Sequence, residues 1–505
     1  MRFSLGRRRV ITIVVLVGLL GTGLLAAFET LQPQGGPCGP AHPVQKSQLS
    51  PVSFGAVTKY PLPANRSPNA ITVQPDGSVW FGELGSPGVA HLYVSNRTLV
   101  EYRWPYTYQP DQNGKVVCSD FTDTWGILAW DGQIWATDGG RSQIVGLNPS
   151  NDSFQYIHLQ KNSFPYTLAV SPDGRLWFSM LSSPPQVGRV DPGTHAVTYF
   201  PLPSPANSSS AYVLFVNSSL GYALSIHPYP PVGSNLYSFD PSAANPVFAP
   251  VLATNQVAGG PAGSIPAVGG QAATPTSVAF GQGGIWLTEH FSSDMAFYSY
   301  AANQWATYPT SSVSYVFDNV SLPYFDVSNG TGVWFNEHYG NKLAEICCNR
   351  TGLSEYSLAD SNNGTVDNAL TLALGKDKVW FTEWTAGYVG FVNTSYSAPF
   401  SPSVAGSPSV TVKPGSTAQL HLTVTGRSSG PLHWQFSDNE QGGGVPKGLG
   451  FSPTPATITS LSGNQNATVN ITCAATVAPG QYIALVTVTD GLVYKSVYVQ
   501  ITVTG

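Results

Sequence analysis

The chain has 505 residues, of which 42% are hydrophobic and only 10% are charged, and its net charge of −5 is small for that length. Globular proteins have about 25% charged residues on average, and here Gly, Pro, Ser, Thr and Asn take their place. This turn-rich composition, with 12% aromatic residues, favours an all-β fold. Basic residues do not cluster after position 9, which argues against nucleic acid as a partner.

Residues 1–28 have the pattern of an N-terminal membrane anchor helix. Four arginines among the first nine residues precede an uncharged run over residues 10–28, which as a helix spans roughly 28 Å, about one hydrocarbon core. The basic flank stays inside and directs the remainder outward, which predicts a single-pass protein of the cell membrane with an extracellular C-terminal part. A cleaved signal peptide, and hence a secreted protein, remains the alternative because Ala26 and Ala27 offer a cleavage site.

Residues 29–54 are rich in Pro, Gly and Gln, which predicts a tether. Five cysteines without a CxxC spacing argue against a zinc cluster and allow one disulfide. Twelve Asn-X-Ser/Thr sites suit an exported glycoprotein: Asn65, Asn96, Asn151, Asn207, Asn217, Asn319, Asn329, Asn349, Asn363, Asn393, Asn466 and Asn470.

One pattern recurs through residues 55–397: an apolar strand, an Asp-Gly-like turn, a Trp-containing strand and two further strands. Seven aromatic residues mark the copies, 42 to 64 residues apart: Trp80, Trp135, Trp177, Tyr222, Trp286, Trp334 and Trp380. Repeats of this length with four short strands are typical of β-propeller blades, which bury their faces against one another. The pattern therefore predicts a seven-bladed β-propeller in which the Trp side chains fill the space between blades.

The fourth strand of several copies ends in a sequence like Tyr-x-Leu-Pro, and AVTKYPLP (56–63) has the same signature ahead of the first copy. The last copy has no such strand after it. We therefore expect residues 56–63 to complete the last blade, which removes an exposed sheet edge.

After residue 399 the pattern changes to about seven strands with alternating apolar and polar residues, separated by turn signals. Their number and spacing predict an immunoglobulin-like β-sandwich over residues 403–505. No Cys–Trp–Cys set is present, so the likeness is one of architecture, and a spacer or adhesion module is the expected role.

The repeat over residues 55–397 resembles the virginiamycin B lyase (streptogramin lyase) family. The resemblance rests on the Tyr-x-Leu-Pro endings and on four segments: Trp80-Phe81-Gly82-Glu83, Val187-Gly188-Arg189-Val190, Asn341-Lys342-Leu343 and Trp380-Phe381-Thr382-Glu383. It implies a propeller that opens a cyclic depsipeptide antibiotic by carbon–oxygen elimination, with a His as base and Mg²⁺ stabilising the enolate.

In that family the catalytic His follows a Pro at the start of an innermost strand. The corresponding positions here are Asn69, Trp125, Tyr166, approximately Tyr212, Thr276, Tyr324 and approximately Asn368. None of them is His, so the resemblance supplies no general base at these positions.

Acidic residues recur at the end of the second strand of five copies, a notable coincidence in a chain so poor in charge: Glu83, Asp138, Glu289, Glu337 and Glu383. Carboxylates collected at one end of the blades could bind Mg²⁺ or Ca²⁺, and Glu289, Glu337 and Glu383 are the predicted metal ligands. The alternative is that each acid binds local backbone N–H groups and joins neighbouring blades.

Two of these acids precede a histidine, in Glu289-His290 and Glu337-His338. Neighbouring residues of a strand point to opposite sides, so a His of one blade could meet the Glu of the next. A His with a carboxylate partner is a candidate base, which makes His290 and His338 the predicted catalytic residues. A structural hydrogen bond between blades is the competing interpretation.

Two functions follow from these observations. The first is an exported surface protein whose propeller binds a small-molecule, glycan or protein ligand at one face. The second is a divalent-metal-dependent carbon–oxygen lyase. The absent family His, the anchor and the appended sandwich favour the first.

Overall fold

The computed structural model describes residues 45–84, 88–103, 124–204, 206–226, 234–251, 275–290, 294–311, 323–347, 350–359, 368–436 and 445–505, together with the backbone of residues 109–110 and 116–117. The chain divides into two compact units. The first contains the described residues up to 51, residues 60–250 and residues 382–389. The second contains residues 52–59, 251–381 and 390–505.

In its described residues, the repeat region consists of short strands together with a 3₁₀ helix at Gly139–Arg141. They are β1 (Gln45–Gln48), β2 (Val52–Phe54), β3 (Val57–Pro61), β4 (Pro68–Val73), β5 (Val79–Glu83), β6 (Gly88–Tyr93), β7 (Thr98–Arg103), β8 (Gln109–Pro110), β9 (Val116–Val117), β10 (Ile127–Trp130), β11 (Gln133–Asp138), the 3₁₀ helix (Gly139–Arg141), β12 (Gln143–Asn148), β13 (Ser153–His158), β14 (Pro165–Val170), β15 (Leu176–Met180), β16 (Gln186–Val190), β17 (Val197–Pro201), β18 (Ser209–Asn217), β19 (Leu220–Ile226), β20 (Asn235–Phe239), β21 (Ala249–Pro250), β22 (Pro275–Gly281), β23 (Gly284–Glu289), β24 (Asp294–Ser299), β25 (Gln304–Pro309), β26 (Pro323–Ser328), β27 (Val333–Glu337), β28 (Lys342–Cys347), β29 (Gly352–Ser357), β30 (Ala369–Leu374), β31 (Lys378–Glu383) and β32 (Tyr388–Asn393).

These strands form successive antiparallel sheets whose strands are hydrogen-bonded in chain order, here called repeat sheets. The first six are β4–β7, β10–β13, β14–β17, β18–β21, β22–β25 and β26–β29, and the seventh contains β30–β32. The predicted aromatic residue lies on the second strand of every repeat sheet and is buried. The Asp-Gly turns between first and second strands form as expected, with Gly77 and Gly174 both at φ +84°, a conformation that glycine adopts without strain.

The strand predicted to complete the last repeat sheet does so, because β3 lies beside β32 in the order β2-β3-β32-β31-β30. The sequence predicts a tether over residues 29–54, but the described part of this segment contains two strands. There β1 pairs with β7 and β2 pairs with β3. Both strands pair with the outer strand of a repeat sheet, whose backbone groups would otherwise lack hydrogen bonds on that side. The Pro/Gly-rich composition of the segment gave no sign of this pairing.

The C-terminal region forms two packed sheets from β33 (Phe400–Val404), β34 (Ser409–Val412), β35 (Thr417–Ser428), β36 (Leu432–Phe436), β37 (Leu449–Thr454), β38 (Thr457–Ile458), β39 (Leu461–Cys473), β40 (Gly480–Thr489) and β41 (Val493–Val503). One sheet has the order β33-β35-β39-β37, and the other contains β41-β40-β36-β38 with β34 beside β41. Their inward side chains form a core that includes Leu420, Val469, Val486 and Ile501.

This region continues the sixth repeat sheet, because β41 pairs antiparallel with β29. A single apolar core joins Trp334 and Phe381 of the repeat to Leu432 and Val488 of the C-terminal region. The C-terminal region is therefore packed against repeat sheets of the second unit, and its expected role as a spacer or adhesion module stays a prediction.

The predicted anchor, residues 1–28, lies outside the described residues. Within the part of the chain that the structure describes, no helix is long and apolar enough to span a bilayer. Cys473 is a buried free thiol, and Cys38, Cys118 and Cys348 fall outside the described ranges.

Candidate functional site

The five predicted acids occupy the same structural position, the last residue of β5, β11, β23, β27 and β31. All five are at most 3% exposed. A buried carboxylate needs a cation or hydrogen-bond donors to offset its desolvation, so the surroundings of each acid indicate what it does.

In the first unit, two of the acids contact arginine side chains. Asp138 accepts hydrogen bonds from Gln143 Nε2 (2.9 Å) and Arg141 Nη1 (3.2 Å). Glu83 Oε2 lies 3.6 Å from Arg66 Nε, and the same guanidinium binds both carboxylate oxygens of Glu101. Arg66 belongs to the connection between β3 and β4, so these ion pairs hold the start of the first repeat sheet in place.

In the second unit, Glu337 belongs to a buried group that also contains Ser311, Lys342 and Glu355. Lys342 Nζ lies 3.6 Å from Glu337 Oε2 and 3.2 Å from Glu355 Oε1, donates to Ser311 Oγ, and sits 4.2 Å from the Tyr494 ring centre. All four polar residues of this group are at most 3% exposed. Lys342 is thus an internal cation at the junction of the repeat and the C-terminal region.

The charges of this buried group are unequal, with two carboxylates facing one ammonium. Burial, reinforced by Glu355, holds the pKa of Glu337 well above its ordinary value. Burial alone would lower the pKa of Lys342, but the neighbouring Glu355 and Glu337 raise it instead. We therefore assign the ion pair to Lys342 and Glu355, with Glu337 protonated at neutral pH.

His290 and His338 follow β23 and β27 and are 3% and 5% exposed. His290 Nδ1 is hydrogen-bonded to the carbonyl oxygen of Pro323 (3.3 Å), and His338 Nδ1 to that of Ala369 (3.0 Å). Each acceptor is the first residue of the innermost strand in the following repeat sheet. Both histidines thus form a hydrogen bond between neighbouring repeat sheets, as the competing interpretation of the sequence expects.

Tyr324 lies between the two imidazoles, with ring centres 5.0 Å from His290 and 5.4 Å from His338. It is 2% exposed and occupies one of the positions where the resembled family has its catalytic His. Burial, reinforced by His338, lowers the pKa of His290 to about 3, and burial lowers the pKa of His338 to about 4. Both imidazoles are therefore neutral at physiological pH.

These lowered pKa values predict that the protein loses stability in mild acid. The pKa of each histidine is lower in the folded protein than the value of about 6.5 in the unfolded chain. The unfolded chain therefore takes up protons first, and the free energy of unfolding falls as the pH drops from about 6.5 toward 4. We expect each histidine to cost about 2 kcal/mol between pH 7 and pH 4.5. Urea unfolding of the full chain at both pH values measures this loss.

The matched variants are His290→Asn with His338→Asn, which retain a side-chain donor but do not titrate, and His421→Asn, an exposed histidine of the C-terminal region. The double variant should lose less stability on acidification than the wild type, and His421→Asn should behave as the wild type does. An equal acid sensitivity of the double variant and the wild type would contradict the assignment.

No metal cluster is evident among the described residues, which contain no group of three or more His, Cys, Asp or Glu side chains placed to hold an ion. Glu289 and Glu337 belong to the second unit, whereas Glu383 belongs to the first. The nearest cation to Glu337 is Lys342. Binding of Mg²⁺ or Ca²⁺ by the three predicted ligands stays a prediction.

The sequence interpretation missed the small polar residue that precedes four of the five acids, all except Glu83. Thr137 Oγ1 accepts from the backbone N–H groups of Trp125 and Gly126, which lie just before β10. Thr288 Oγ1 does the same for Thr276 and Ser277. The Thr in Trp-Phe-Thr-Glu was the available signal, since such side chains satisfy backbone groups freed by strand irregularities.

Some of these residues also bind the following repeat sheet. Asn336 Nδ2 donates to the carbonyl oxygen of Ala369 (2.5 Å), beside the bond from His338. Thr382 Oγ1, on the second strand of the last repeat sheet, donates to the carbonyl oxygen of Asn69 in the first (2.7 Å). The last and first repeat sheets are thereby joined by the same kind of bond that joins consecutive sheets.

A second residue without a sequence signal is Asp326, the fourth residue of β26. It is 1% exposed, and its backbone N–H donates to Ser277 Oγ (3.2 Å). Burial raises the pKa of Asp326 to about 8, so this carboxyl group is mostly neutral at pH 7. It adds no charge to the second unit.

Neither the protein-family profiles nor the curated protein sequences contain a match to this chain. Solved structures do match. A catalytically inactive virginiamycin B lyase from Staphylococcus aureus, determined with quinupristin, superimposes with a TM-score of 0.51 over 67% of this chain and 98% of its own, at 14% identity. The selenomethionine-substituted enzyme gives 0.50 over 70% and 99%, at 15% identity.

The repeat has the fold of the virginiamycin B lyase β-propellers. The resemblance found in the Trp-Phe-Thr-Glu segments is therefore confirmed at the level of fold. A structural match at 14–15% identity supports a shared fold but does not indicate a shared reaction. The assignment of function therefore rests on the site itself.

Proposed function

We propose that this chain is an exported surface protein whose seven-bladed propeller binds an extracellular small molecule, glycan or protein without transforming it. Residues 1–28 would anchor it in the cell membrane, or be removed to release a secreted protein. The C-terminal region would be an immunoglobulin-like sandwich that presents the propeller. The bond from Thr382 to Asn69 and the position of β3 beside β32 support a closed ring.

The observation that carries this proposal is the burial of His290 and His338. A general base has to reach the proton that it removes, and it works best with a pKa near the operating pH. Both imidazoles are at most 5% exposed, are hydrogen-bonded to backbone carbonyls and have pKa values lowered to about 3 and about 4. This chemistry suits a connection between blades far better than proton abstraction.

A second candidate function is a divalent-metal-dependent carbon–oxygen lyase. It is supported by the fold shared with virginiamycin B lyase and by the proximity of the two imidazoles, whose ring centres are 6.0 Å apart. In that case Glu289, Glu337 and Glu383 would bind Mg²⁺ or Ca²⁺, and His290 or His338 would remove the proton.

Quinupristin, the compound present with the neighbouring enzyme, separates the two candidates. The full chain is incubated with quinupristin and Mg²⁺, ring opening is followed by chromatographic retention, and binding to a glycan array is measured in parallel. We expect quinupristin to remain intact, and saturable binding to a member of the array would identify a glycan as the ligand class. Ring opening above the protein-free rate, lost in His290→Asn or His338→Asn, would establish the lyase instead.

A further inference from the structure

Strand β39 presents two Asn-X-Thr sites on one face of the C-terminal region. Along this strand Ala467, Val469, Ile471 and Cys473 are buried in the core, and the intervening residues face outward. The outward set consists of Asn466, Thr468, Asn470 and Thr472. Both asparagines and both acceptor threonines therefore share one side of the sheet, with the asparagines about 14 Å apart.

The amide groups of the two asparagines are oriented by strand β35. Thr423 Oγ1 donates to Asn466 Oδ1 (3.1 Å), and Gln419 Nε2 donates to Asn470 Oδ1 (3.1 Å). In each case the cross-strand bond uses the amide oxygen. A substituent on Nδ2 leaves that bond intact, so the folded sheet accepts modification at both nitrogens without losing a contact.

A cavity of about 310 Å³ opens beside the first site. It is lined by Thr423, Thr454, Thr468 and His421, among others, and His421 Nδ1 is 3.2 Å from Thr468 Oγ1. Hydroxyl and imidazole groups on a polar sheet face are suitable partners for sugar hydroxyls. The cavity is at the small end of ligand sites, a size that suits one saccharide unit.

We propose that Asn466 and Asn470 carry N-linked glycans, and that the first sugar on Asn466 occupies this cavity. In the modification a bond forms between Nδ2 and the anomeric carbon of a lipid-linked glycosyl phosphate. The bond from that carbon to the phosphate oxygen breaks, the lipid phosphate leaves, and Nδ2 loses one proton. The proposal rests on export, which is part of the proposed function, but it is independent of what the propeller binds.

Two glycans would shield the outer face of the sheet β33-β35-β39-β37. Among the described residues, that sheet has exposed polar side chains and has β33 and β37 as its outer strands, and sheet edges promote association when they are uncovered. Bulky, hydrated glycans oppose such contacts. The C-terminal region would then keep its propeller separate from neighbouring copies.

The test is mass spectrometry of glycopeptides from the full chain, isolated from cells that N-glycosylate exported proteins. Thr468→Ala and Thr472→Ala each destroy one acceptor site, whereas Thr468→Ser and Thr472→Ser retain it. We expect two glycans on the wild type, the loss of one with each Ala variant and no loss with the Ser variants. Circular dichroism of each variant establishes that it is folded.

Unmodified Asn466 and Asn470 in the wild-type protein would overturn the proposal, whether or not other sites carry sugar. Glycans on Asn96 or Asn329 with both β39 sites bare would leave export intact and remove this proposal alone. The position of the first sugar is tested by the rate at which a glycosidase releases the glycan from Asn466. If that rate is the same in His421→Ala as in the wild type, the first sugar does not occupy the cavity and that part of the proposal is overturned.

Discussion

Replacing Lys342 with methionine is expected to lower the free energy of unfolding by about 3–5 kcal/mol, the range for breaking a buried ion pair from one side. The change leaves Glu355 and Glu337 buried without the ammonium that now lies 3.2 Å and 3.6 Å from them. Chemical denaturation at pH 7 measures the loss. The matched control is Lys378→Met, whose pair with Asp377 is partly exposed and should contribute less than about 1 kcal/mol.

The same variant should regain stability in mild acid. Without Lys342 the buried carboxylates have no cation to offset their desolvation, so protonation in mild acid removes the cost of burying their charge. Should Lys342→Met fail to fold at pH 7, the double variant with Glu355→Gln removes the buried charge and should restore folding. A loss below about 1 kcal/mol in Lys342→Met would contradict the description of this group.

Replacing Trp177 with alanine is expected to cost about 3–5 kcal/mol, the range for removing a large buried aromatic side chain. Its indole is fully buried and lies 5.5 Å from the Phe200 ring of its own repeat sheet. The rings of Phe215 and Phe239 in the next repeat sheet are at 5.7 Å and 5.3 Å. The side chain thus fills the space between two sheets, as the repeat pattern predicts.

Thermal and urea unfolding of Trp177→Ala measure this cost, and Val247→Ala is the control. Val247 is 80% exposed, so its truncation should change stability by less than about 0.5 kcal/mol. Equal stabilities of the two variants would mean that the recurring aromatic residues of this chain do not contribute to packing between sheets.

The fold could be anticipated because its signals are local. Every repeat sheet has a buried aromatic residue on its second strand, several have an Asp-Gly-like turn before that strand, and these patterns are recognisable in single copies such as the one around Trp177. The added strands β1 and β2 could not be anticipated in this way. Their pairing satisfies edges of distant strands, and no residue of their own sequence reports it.

For the candidate site, the sequence predicted where the acids and histidines lie but not what they contact. The sequence placed Glu337 and His338 at the end of a second strand, and the structure finds them there. Their partners are Lys342, Glu355 and a backbone carbonyl, and these depend on how two repeat sheets and β41 pack together. Burial also decides their protonation, which no spacing in the sequence encodes.

The proposed binding function implies that the acids and histidines at the ends of the second strands connect neighbouring repeat sheets and bind no catalytic metal ion. The most direct test is the thermal stability of the full chain in Mg²⁺, Ca²⁺ and Mn²⁺, for the wild type and for Glu337→Gln. Because Glu337 is assigned a proton, the glutamine variant should be about as stable as the wild type, and no ion should shift either midpoint. An ion-specific increase in the wild-type midpoint that Glu337→Gln abolishes would contradict the account and make this end of the propeller a metal site.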